Sequence, residues 1–594
     1  MRSETFERRD SIMHKAGVAV VTGALLISMT PLPALAEGSS SSSGSSTATS
    51  QPTGEPPSGG GSAPGDAGGS MPGGGAGGAG GANTMTYDYT GTLSGTLTAD
   101  GDSQEASDQT ITATDVDVNA ALAENGGALA LSGVTLEKSG DDTNGDNCNF
   151  YGVNSILLAT GDDSTAKVSN SKLNATSEGS NAIFATDGAT VYANGDTITT
   201  SAGNSRGLDA TYDGTIIANE MGISTQGDHS ASIATDRGGG NISVTNSTLS
   251  TAGSGSPLLY STGDIEVSGV TGTATGSQIA GMEGLNTVLI NNSTLSSTIT
   301  EKTASDPIAN AVIIYQSTSG DAESTTGEAA TFQAVGSKLS SAIQSGSFFY
   351  VTNTTANILL QGTTLDYDSP AANLIQVEGN DSNNWGTAGS NGGTATLTLA
   401  GENVTGNVSV DTISSLALYL TGNSTWTGAA SITENANGST SDSPITVNVD
   451  DGSTWVVTAD STVSALNVAS GGSVVDESGK TVTIVANGQT VVQGDSSLTV
   501  TVTGSYSTTY DGSGASTVSP DLIDRSAFDA EYGTSTTFAM GDSTSASASD
   551  VAQASTAPSS SAEATASTND ATSASTGNVF LDIWNAIVDF FTGR

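Results

Sequence analysis

The residues best suited to chemistry lie in two segments, SRGLDATYDG (205–214) and QGDHSASIATDRGGGN (226–241). Their charged members are Arg206, Asp209, Asp213, Asp228, His229, Asp236 and Arg237. Paired carboxylates can act as general acid and base, with an imidazole as proton shuttle and arginines orienting a substrate. An arginine–aspartate lattice can equally hold two turns of chain together. The residue types therefore leave a structural clamp, a ligand-binding site and a catalytic site open.

These segments stand out because the rest of the chain is poor in charge. Only 13% of the 594 residues are charged, 75 are glycine, and His229 is the only histidine after residue 36. The formal net charge is −47, which repels nucleic acid and anionic membranes and could collect divalent cations. Cys148 is the single cysteine, so no intrachain disulfide can form.

A repeated phrase indicates which elements position the charged segments. It reads VSNSKL at 168–173, VTNSTL at 244–249 and INNSTL at 290–295, and it recurs with a period of about 24 residues. A period that tolerates insertions is typical of stacked structural units. Aligning Leu208 with Ile233 places the two charged segments on consecutive units.

The short β-branched runs, with no helical pattern between them, predict a parallel β-helix whose coils pair with the coils above and below. Asparagine tolerates the left-handed turn conformation, and stacked asparagines can form a hydrogen-bonded ladder. We expect such a ladder from Asn170, Asn194, Asn219, Asn246 and Asn292. The alternative is N-glycosylation, because Asn246 and Asn292 begin N-x-S/T sequons.

The chain divides by composition. We predict a signal peptide (1–36), a Gly/Ser/Pro-rich disordered tether (37–83), β-helix coils of about 24 residues (84–393), a C-terminal part of the β-helix with STW phrases (394–515), a cap at its lower end (516–540), a Ser/Ala/Thr-rich linker (541–577) and a short amphipathic helix (578–594). No membrane span is expected after residue 36.

Two aromatic features belong to this C-terminal half. Trp426 and Trp455 hold equivalent places in the STW phrases, and we interpret them as packing aromatics, with sugar stacking as the alternative. The amphipathic helix could dock on a partner, a membrane interface or the β-helix itself through Phe580, Ile583, Trp584, Ile587, Phe590 and Phe591.

Signals for a cofactor are weak. Asp142, Asn144 and Asp146 have the D-x-N-x-D spacing of calcium loops, but they lack the glycine and the bidentate glutamate that complete an EF-hand loop. We interpret them as a solvated acidic loop, with a Ca²⁺ site as the alternative, so Ca²⁺ is the one cofactor that the sequence leaves open.

The repeat at 166–390 and the STWxVTxDSxV phrase resemble bacterial exported right-handed parallel β-helix proteins of the adhesin-like and autotransporter-passenger type. The resemblance implies an all-β, pectin lyase-like fold on a secreted or cell-surface protein that binds glycans, host matrix or other cells. The alternative function is a carbohydrate-active enzyme, a polysaccharide hydrolase or lyase that uses the 206–237 cluster.

Overall fold

The computed structural model describes residues 86–319, 321–322 and 328–541. The predicted signal peptide, tether and amphipathic helix lie outside the described residues, as does the predicted linker beyond Gly541. Within the described ranges, no helix is both long and apolar enough to cross a membrane.

The described residues form 44 strands and two short helices. The first coils contain β1 (Gly95–Asp100), β2 (Ser103–Ser107), β3 (Thr110–Ala113), β4 (Asn119–Glu124), β5 (Ala128–Ser132), β6 (Thr135–Lys138), α1 (Gly145–Tyr151), β7 (Leu157–Thr160), β8 (Thr165–Ser169) and β9 (Lys172–Ala175). The next coils contain β10 (Ile183–Thr186), β11 (Thr190–Asn194), β12 (Thr197–Thr200), β13 (Leu208–Ala210), β14 (Thr215–Asn219), β15 (Gly222–Thr225), β16 (Ile233–Thr235), β17 (Asn241–Thr245), β18 (Thr248–Thr251), β19 (Leu259–Ser261), β20 (Asp264–Ser268), β21 (Thr271–Ala274), β22 (Ala280–Glu283), β23 (Thr287–Asn291) and β24 (Thr294–Ser297).

The C-terminal coils contain β25 (Asn310–Tyr315), β26 (Ala330–Val335), β27 (Lys338–Ser341), β28 (Ser347–Thr352), β29 (Thr355–Gln361), β30 (Thr364–Asp366), β31 (Asn373–Val377), β32 (Thr394–Ala400), β33 (Asn403–Thr405), β34 (Val408–Asp411), β35 (Ser415–Thr421), β36 (Thr425–Thr427), β37 (Ala430–Thr433), β38 (Ile445–Val449), β39 (Thr454–Val457) and β40 (Ser461–Val468). The last elements are β41 (Ser473–Asp476), β42 (Thr483–Ala486), β43 (Gln489–Val492), β44 (Thr499–Ser507) and α2 (Ser526–Tyr532).

Strands at equivalent places in successive coils pair in parallel and build four sheets. The first sheet has 13 strands, every third strand from β1 to β37, and the third sheet has ten, every third strand from β3 to β30. The second sheet takes every third strand from β2 to β38 and then continues through β40, β44, β42 and β43. The fourth contains β33, β36, β39 and β41. The predicted all-β architecture, a right-handed parallel β-helix, is confirmed.

The core lies inside the coils and follows the two-residue period of a strand. In the third sheet, Ile198, Ile223 and Leu249 point inward, pair in register and are at most 3% exposed. Their neighbours along each strand, such as Thr197 and Thr248, point outward and are exposed. Burial of one branched side chain per strand, repeated coil after coil, supplies most of the stabilisation.

The five predicted ladder asparagines occupy two different positions. Asn170, Asn246 and Asn292 have left-handed φ angles of 51°, 50° and 44° at the turn after the second-sheet strand. Asn194 and Asn219 instead end β11 and β14, one residue earlier, because Gly195 and Glu220 take the left-handed position in those coils. Asn219 Nδ2 donates to Asn194 Oδ1 and Asn246 Nδ2 donates to Asn219 Oδ1, each at 2.9 Å.

A serine ladder at the same corner connects more of the coils. The backbone N–H groups of Met221, Val270 and Ser293 donate to the hydroxyls of Ser247, Ser293 and Ser337 in the next coil, at 2.9–3.1 Å. Ser247 and Ser293 follow the asparagine of the repeated phrase, and Ser337 holds the same place after Gly336. Because an unpaired buried N–H is costly, each serine hydroxyl stabilises the turn by accepting an N–H that has no partner in the strand pairing.

Residues 508–541, which we call the strap, leave β44 and run back along the outer face of the second sheet. Successive strap residues contact strands from β35 back to β8, through the pairs Tyr510–Tyr419, Ser516–Thr398, Thr517–Gln333, Ile523–Glu266, Phe528–Tyr192 and Glu531–Lys167. The expected cap at 516–540 therefore lies along the side of the coils and not at their lower end. There, the antiparallel hairpin of β42 and β43 borders the second sheet.

Apolar residues on the outer face of the second sheet explain the strap. Ile217, Leu289 and Leu359 point outward from their strands, yet each is at most 3% exposed. Arg525 fixes the strap over this face. It is 1% exposed and donates to the carbonyls of Ser243 and Ala218 at 2.8 and 3.0 Å.

Candidate functional site

Three of the seven predicted site residues meet in a buried ion cluster on the outer face of the first sheet. Asp209 lies in β13, Arg206 precedes this strand, and Asp236 follows β16 in the next coil; the predicted pairing of Leu208 with Ile233 sets this spacing. Arg206 Nη1 contacts Asp209 Oδ2 at 2.7 Å, and Nη2 contacts Asp236 Oδ2 at 2.7 Å. The three residues are 8%, 0% and 5% exposed.

One guanidinium serves two carboxylates in this cluster. Burial raises the pKa of Asp209 to about 7 despite the neighbouring cation, and burial also raises the pKa of Asp236. Burial opposes the charge on Arg206, but the two carboxylates outweigh it and hold the pKa of Arg206 above its ordinary value. Arg206 is therefore charged, and its single positive charge faces two carboxyl groups whose pKa values burial raises.

Arg237 makes a separate contact. Its guanidinium carbon lies 3.7 Å above the centre of the Phe150 ring, and its Nε donates to Asp321 Oδ1 at 2.8 Å. Phe150 belongs to α1, and Asp321 belongs to the insertion after β25. The Arg237–Asp321 pair thus joins two segments that cover the first sheet.

The other three predicted residues lie in exposed turns. Asp213, with a φ of 63°, lies between β13 and β14, whereas Asp228 and His229 lie between β15 and β16. Asp228 Oδ1 accepts the backbone N–H of Ser254 at 2.8 Å, so it supports the turn of the next coil. The structure places these turns at different corners of a coil and gives His229 no place in the buried cluster.

A second buried carboxylate on this face was missed from the sequence. Glu283 is 4% exposed and accepts hydrogen bonds from Tyr260 Oη at 2.9 Å and Tyr315 Oη at 3.1 Å. Ser317 and Ser319 of the insertion also donate to it. The available signal was the register: Tyr260 pairs with Ala234, which pairs with Asp209, in one outward row.

Further segments cover the outer face of the first sheet. Tyr87 and Tyr89, from the segment before β1, pack with Phe150 and Tyr151 of α1 and with Tyr212. Cys148 of α1 is fully buried, and burial raises the pKa of its thiol. Because Arg206, Asp209 and Asp236 lie beneath these layers, their geometry is that of a clamp between two coils.

The expected calcium loop forms the start of α1. Asn144 caps this helix, with Oδ1 accepting the N–H of Asn147 at 3.2 Å, and Asp146 lies in its first turn. Asn144, the middle residue of the D-x-N-x-D spacing, is thus used in helix capping. In the described parts of the chain, no three His, Cys, Asp or Glu side chains are grouped to hold a metal ion.

Trp426 and Trp455 stack inside the C-terminal coils. Their ring centres are 4.8 Å apart with 15° between the planes, and both are fully buried. Each Nε1–H donates to a backbone carbonyl, that of Gly406 at 2.8 Å and that of Gly428 at 2.9 Å. The packing interpretation is confirmed, and the sugar-stacking alternative is wrong because no ligand can reach the rings.

Several buried carboxyls make stability depend on pH. Burial raises the pKa of Asp196, Glu266 and Asp306 to about 7, from about 4 in an unfolded chain. A raised pKa favours the protonated folded state, so this stabilisation is complete below about pH 4 and is lost as the pH rises through 7. We expect the melting temperature to fall by several degrees between pH 5 and pH 8, as measured by differential scanning calorimetry.

Asp196 provides the control for this pH dependence. Its Oδ1 accepts the N–H of Ser171 at 2.7 Å, in the place that serine holds in other coils, and its Oδ2 has no partner among the described residues. The Asp196→Asn variant keeps the acceptor and cannot ionise, so its melting temperature should vary less with pH. A slope equal to that of the native chain would contradict the assignment.

Fold and site together define a parallel β-helix protein with a buried ionic clamp on its first sheet. Compared with known proteins, the chain matches no protein-family model, and no curated protein gives a significant match.

Proposed function

We propose that this chain is a secreted or cell-surface bacterial protein, adhesin-like and non-enzymatic, that binds neutral glycans of other cells or matrix on its third sheet. The observation that carries the proposal is a difference in exposure between the sheets. Strands at the centre of the first and second sheets are buried on both faces, whereas strands of the third sheet are buried only on the inner face.

The outward positions of the third sheet form a regular hydroxyl-rich surface, which we call the hydroxyl face. Each strand contributes two outward residues, mainly threonine and serine, and the strands lie about 4.8 Å apart. The pairs are Thr110 and Thr112, Thr135 and Glu137, Lys172 and Asn174, Thr197 and Thr199, Gly222 and Ser224, Thr248 and Ser250, Thr271 and Thr273, Thr294 and Ser296, Lys338 and Ser340, and Thr364 and Asp366.

The charge of the hydroxyl face favours a neutral ligand. It carries two lysines, Lys172 and Lys338, and two acids, Glu137 and Asp366, so its formal charge is zero on a chain of net charge −47. Hydroxyl groups both donate and accept hydrogen bonds, which suits the hydroxyls of a sugar chain. The acidic remainder of the molecule repels anionic polymers.

The burial of the 206–237 cluster also supports binding over catalysis. A polysaccharide hydrolase or lyase at this cluster needs contact between substrate and carboxylates. Asp209 is fully buried, and Asp236 is 5% exposed beneath the covering segments.

Replacing Thr248, Thr271 and Thr294 together by glutamate tests the hydroxyl face. These exposed residues lie in three consecutive strands of the third sheet. We expect the triple variant to bind an immobilised panel of neutral glycans about tenfold more weakly than the native chain, because it loses hydrogen bonds and gains negative charge.

A matched control adds the same charge elsewhere. Ser431, Thr433 and Thr440 are exposed and lie outside the hydroxyl face, and their replacement by glutamate should leave glycan binding unchanged. Equal losses in both triple variants, or no binding by the native chain, would refute the hydroxyl face as the binding surface. Release of sugar products by the native chain would show an enzyme.

A further inference from the structure

The strap encloses a partly apolar cavity between an earlier and a later stretch of its own chain. Residues 518–525 and 537–540 enclose a space of about 440 Å³, open on one side. Val518, Leu522, Ile523, Phe538 and Met540 line it, and each of them is only half-buried. Side chains of this kind normally bury their remaining surface against another apolar group.

Arg525 also borders the cavity, but its polar groups face the second sheet. Its Nε donates to Thr536 Oγ1 at 2.9 Å, and its terminal nitrogens donate to Ser243, Ala218 and Thr245 at 2.8–3.0 Å. All five N–H groups of the guanidinium are thus engaged. The surface that remains for an occupant combines the apolar side chains with the polar residues Ser519, Asp524 and Thr537.

We propose that the C-terminal segment 578–594 of this same chain docks into the cavity. VFLDIWNAIVDFFTGR supplies apolar residues at helical spacing, with Asp582, Asn585 and Asp589 on the opposite side. An amphipathic segment of this type binds apolar grooves through a few large anchors, for which Trp584 and Phe580 are suited.

The course of the chain favours this occupant over a separate partner. Met540 lines the cavity, and the described chain ends beside it at Gly541, whose N–H donates to Asn291 Oδ1 at 2.9 Å. The segment begins about 36 residues after Gly541, and a connection of this length is long enough for residue 578 to return to the cavity. The covalent connection through the linker (541–577) gives the segment an effective concentration on the order of millimolar at the cavity, so a free partner must be more concentrated than this to compete.

Disulfide trapping in the full chain tests the docking. Ala539→Cys places a thiol at an exposed position of the cavity wall, and Ala586→Cys places one in the segment. Cys148 is fully buried and does not compete. We expect this pair to form an intramolecular disulfide about tenfold faster than the control pair Ala539→Cys with Ala571→Cys, which is closer in sequence.

Two substitutions check that the cavity causes the excess rate. Phe538→Asp changes the cavity and Trp584→Asp changes only the segment, and either should reduce the rate of the 539–586 pair to that of the control pair. Equal rates for the two pairs in the unsubstituted background would overturn the proposal. A second result would also overturn it: the 539–586 pair loses its excess rate of disulfide formation when phosphatidylcholine vesicles are added, and the vesicles sediment with the chain. The segment would then prefer a membrane to the cavity.

Discussion

Replacing Arg206 by methionine is expected to lower the free energy of unfolding by about 3–5 kcal/mol. The change leaves Asp209 and Asp236 buried one coil apart without the guanidinium that contacts both at 2.7 Å. Both carboxyls must then take up protons or unfold the local coils, because an uncompensated buried charge is costly. Urea-induced unfolding followed by circular dichroism measures the loss.

Two variants separate a clamp from other roles. Arg237→Met removes a guanidinium whose pair with Asp321 is partly exposed, and this control should cost about 1 kcal/mol or less. Arg206→Met combined with Asp209→Asn and Asp236→Asn removes the buried charge altogether and should recover most of the stability. A stable Arg206→Met chain that loses an activity on polysaccharides would contradict the clamp and support a catalytic cluster.

Replacing Trp426 by alanine is expected to cost about 3–5 kcal/mol. The change removes a fully buried ring stacked at 4.8 Å on Trp455 and leaves the carbonyl of Gly406 without its donor. The coil cannot collapse into the space, because parallel pairing on both sides fixes strand β36. Thermal unfolding monitored by tryptophan fluorescence and calorimetry gives the difference.

Phenylalanine at position 426 is the matched control for this prediction. It keeps a stacked aromatic ring and loses only the indole N–H, so its cost should be about 1–2 kcal/mol. If alanine and phenylalanine cost the same, the hydrogen bond to Gly406 and not the stacked packing would dominate at this corner.

The repeated phrase was sufficient to predict the fold, because one inward apolar residue per short strand and one left-handed turn residue per coil recur along the chain. It was less reliable for the ladder. The asparagines are the more conspicuous residues, but the hydroxyl oxygen of the serine that follows them accepts a backbone N–H from the preceding coil, as Ser247 does from Met221. Both residues occupy one phrase, and composition alone does not tell which of them points inward.

The strap and the covering segments were not predicted, because their contacts join residues far apart in sequence. Arg525 bonds to residues about 280–310 positions earlier, and no local pattern records such a pairing. One signal was present in the strands TIIAN (215–219) and TVLIN (287–291). Successive apolar residues in these strands point to opposite faces of the sheet. One apolar side chain therefore lies on the outer face, which must also be covered.

The candidate site was predicted in part for the same reason. Register along the first sheet correctly brought Arg206, Asp209 and Asp236 together, since it depends only on coil length. Whether the cluster is open or closed depends on α1 and on the insertion after β25. These segments have no repeat, so no pattern in the chain predicts the contact between Asp321 and Arg237.

The strap also changes how the coils depend on one another. In a simple stack each coil contacts only its neighbours, so terminal coils can fray one at a time. Here Lys167 of β8 and Tyr419 of β35 bind the same returning segment, through Glu531 and Tyr510. Coils at the C-terminal end therefore cannot separate without pulling on coils near the N-terminal end, and unfolding becomes cooperative across most of the stack. We therefore expect the strap to slow cleavage by proteases that attack frayed ends first.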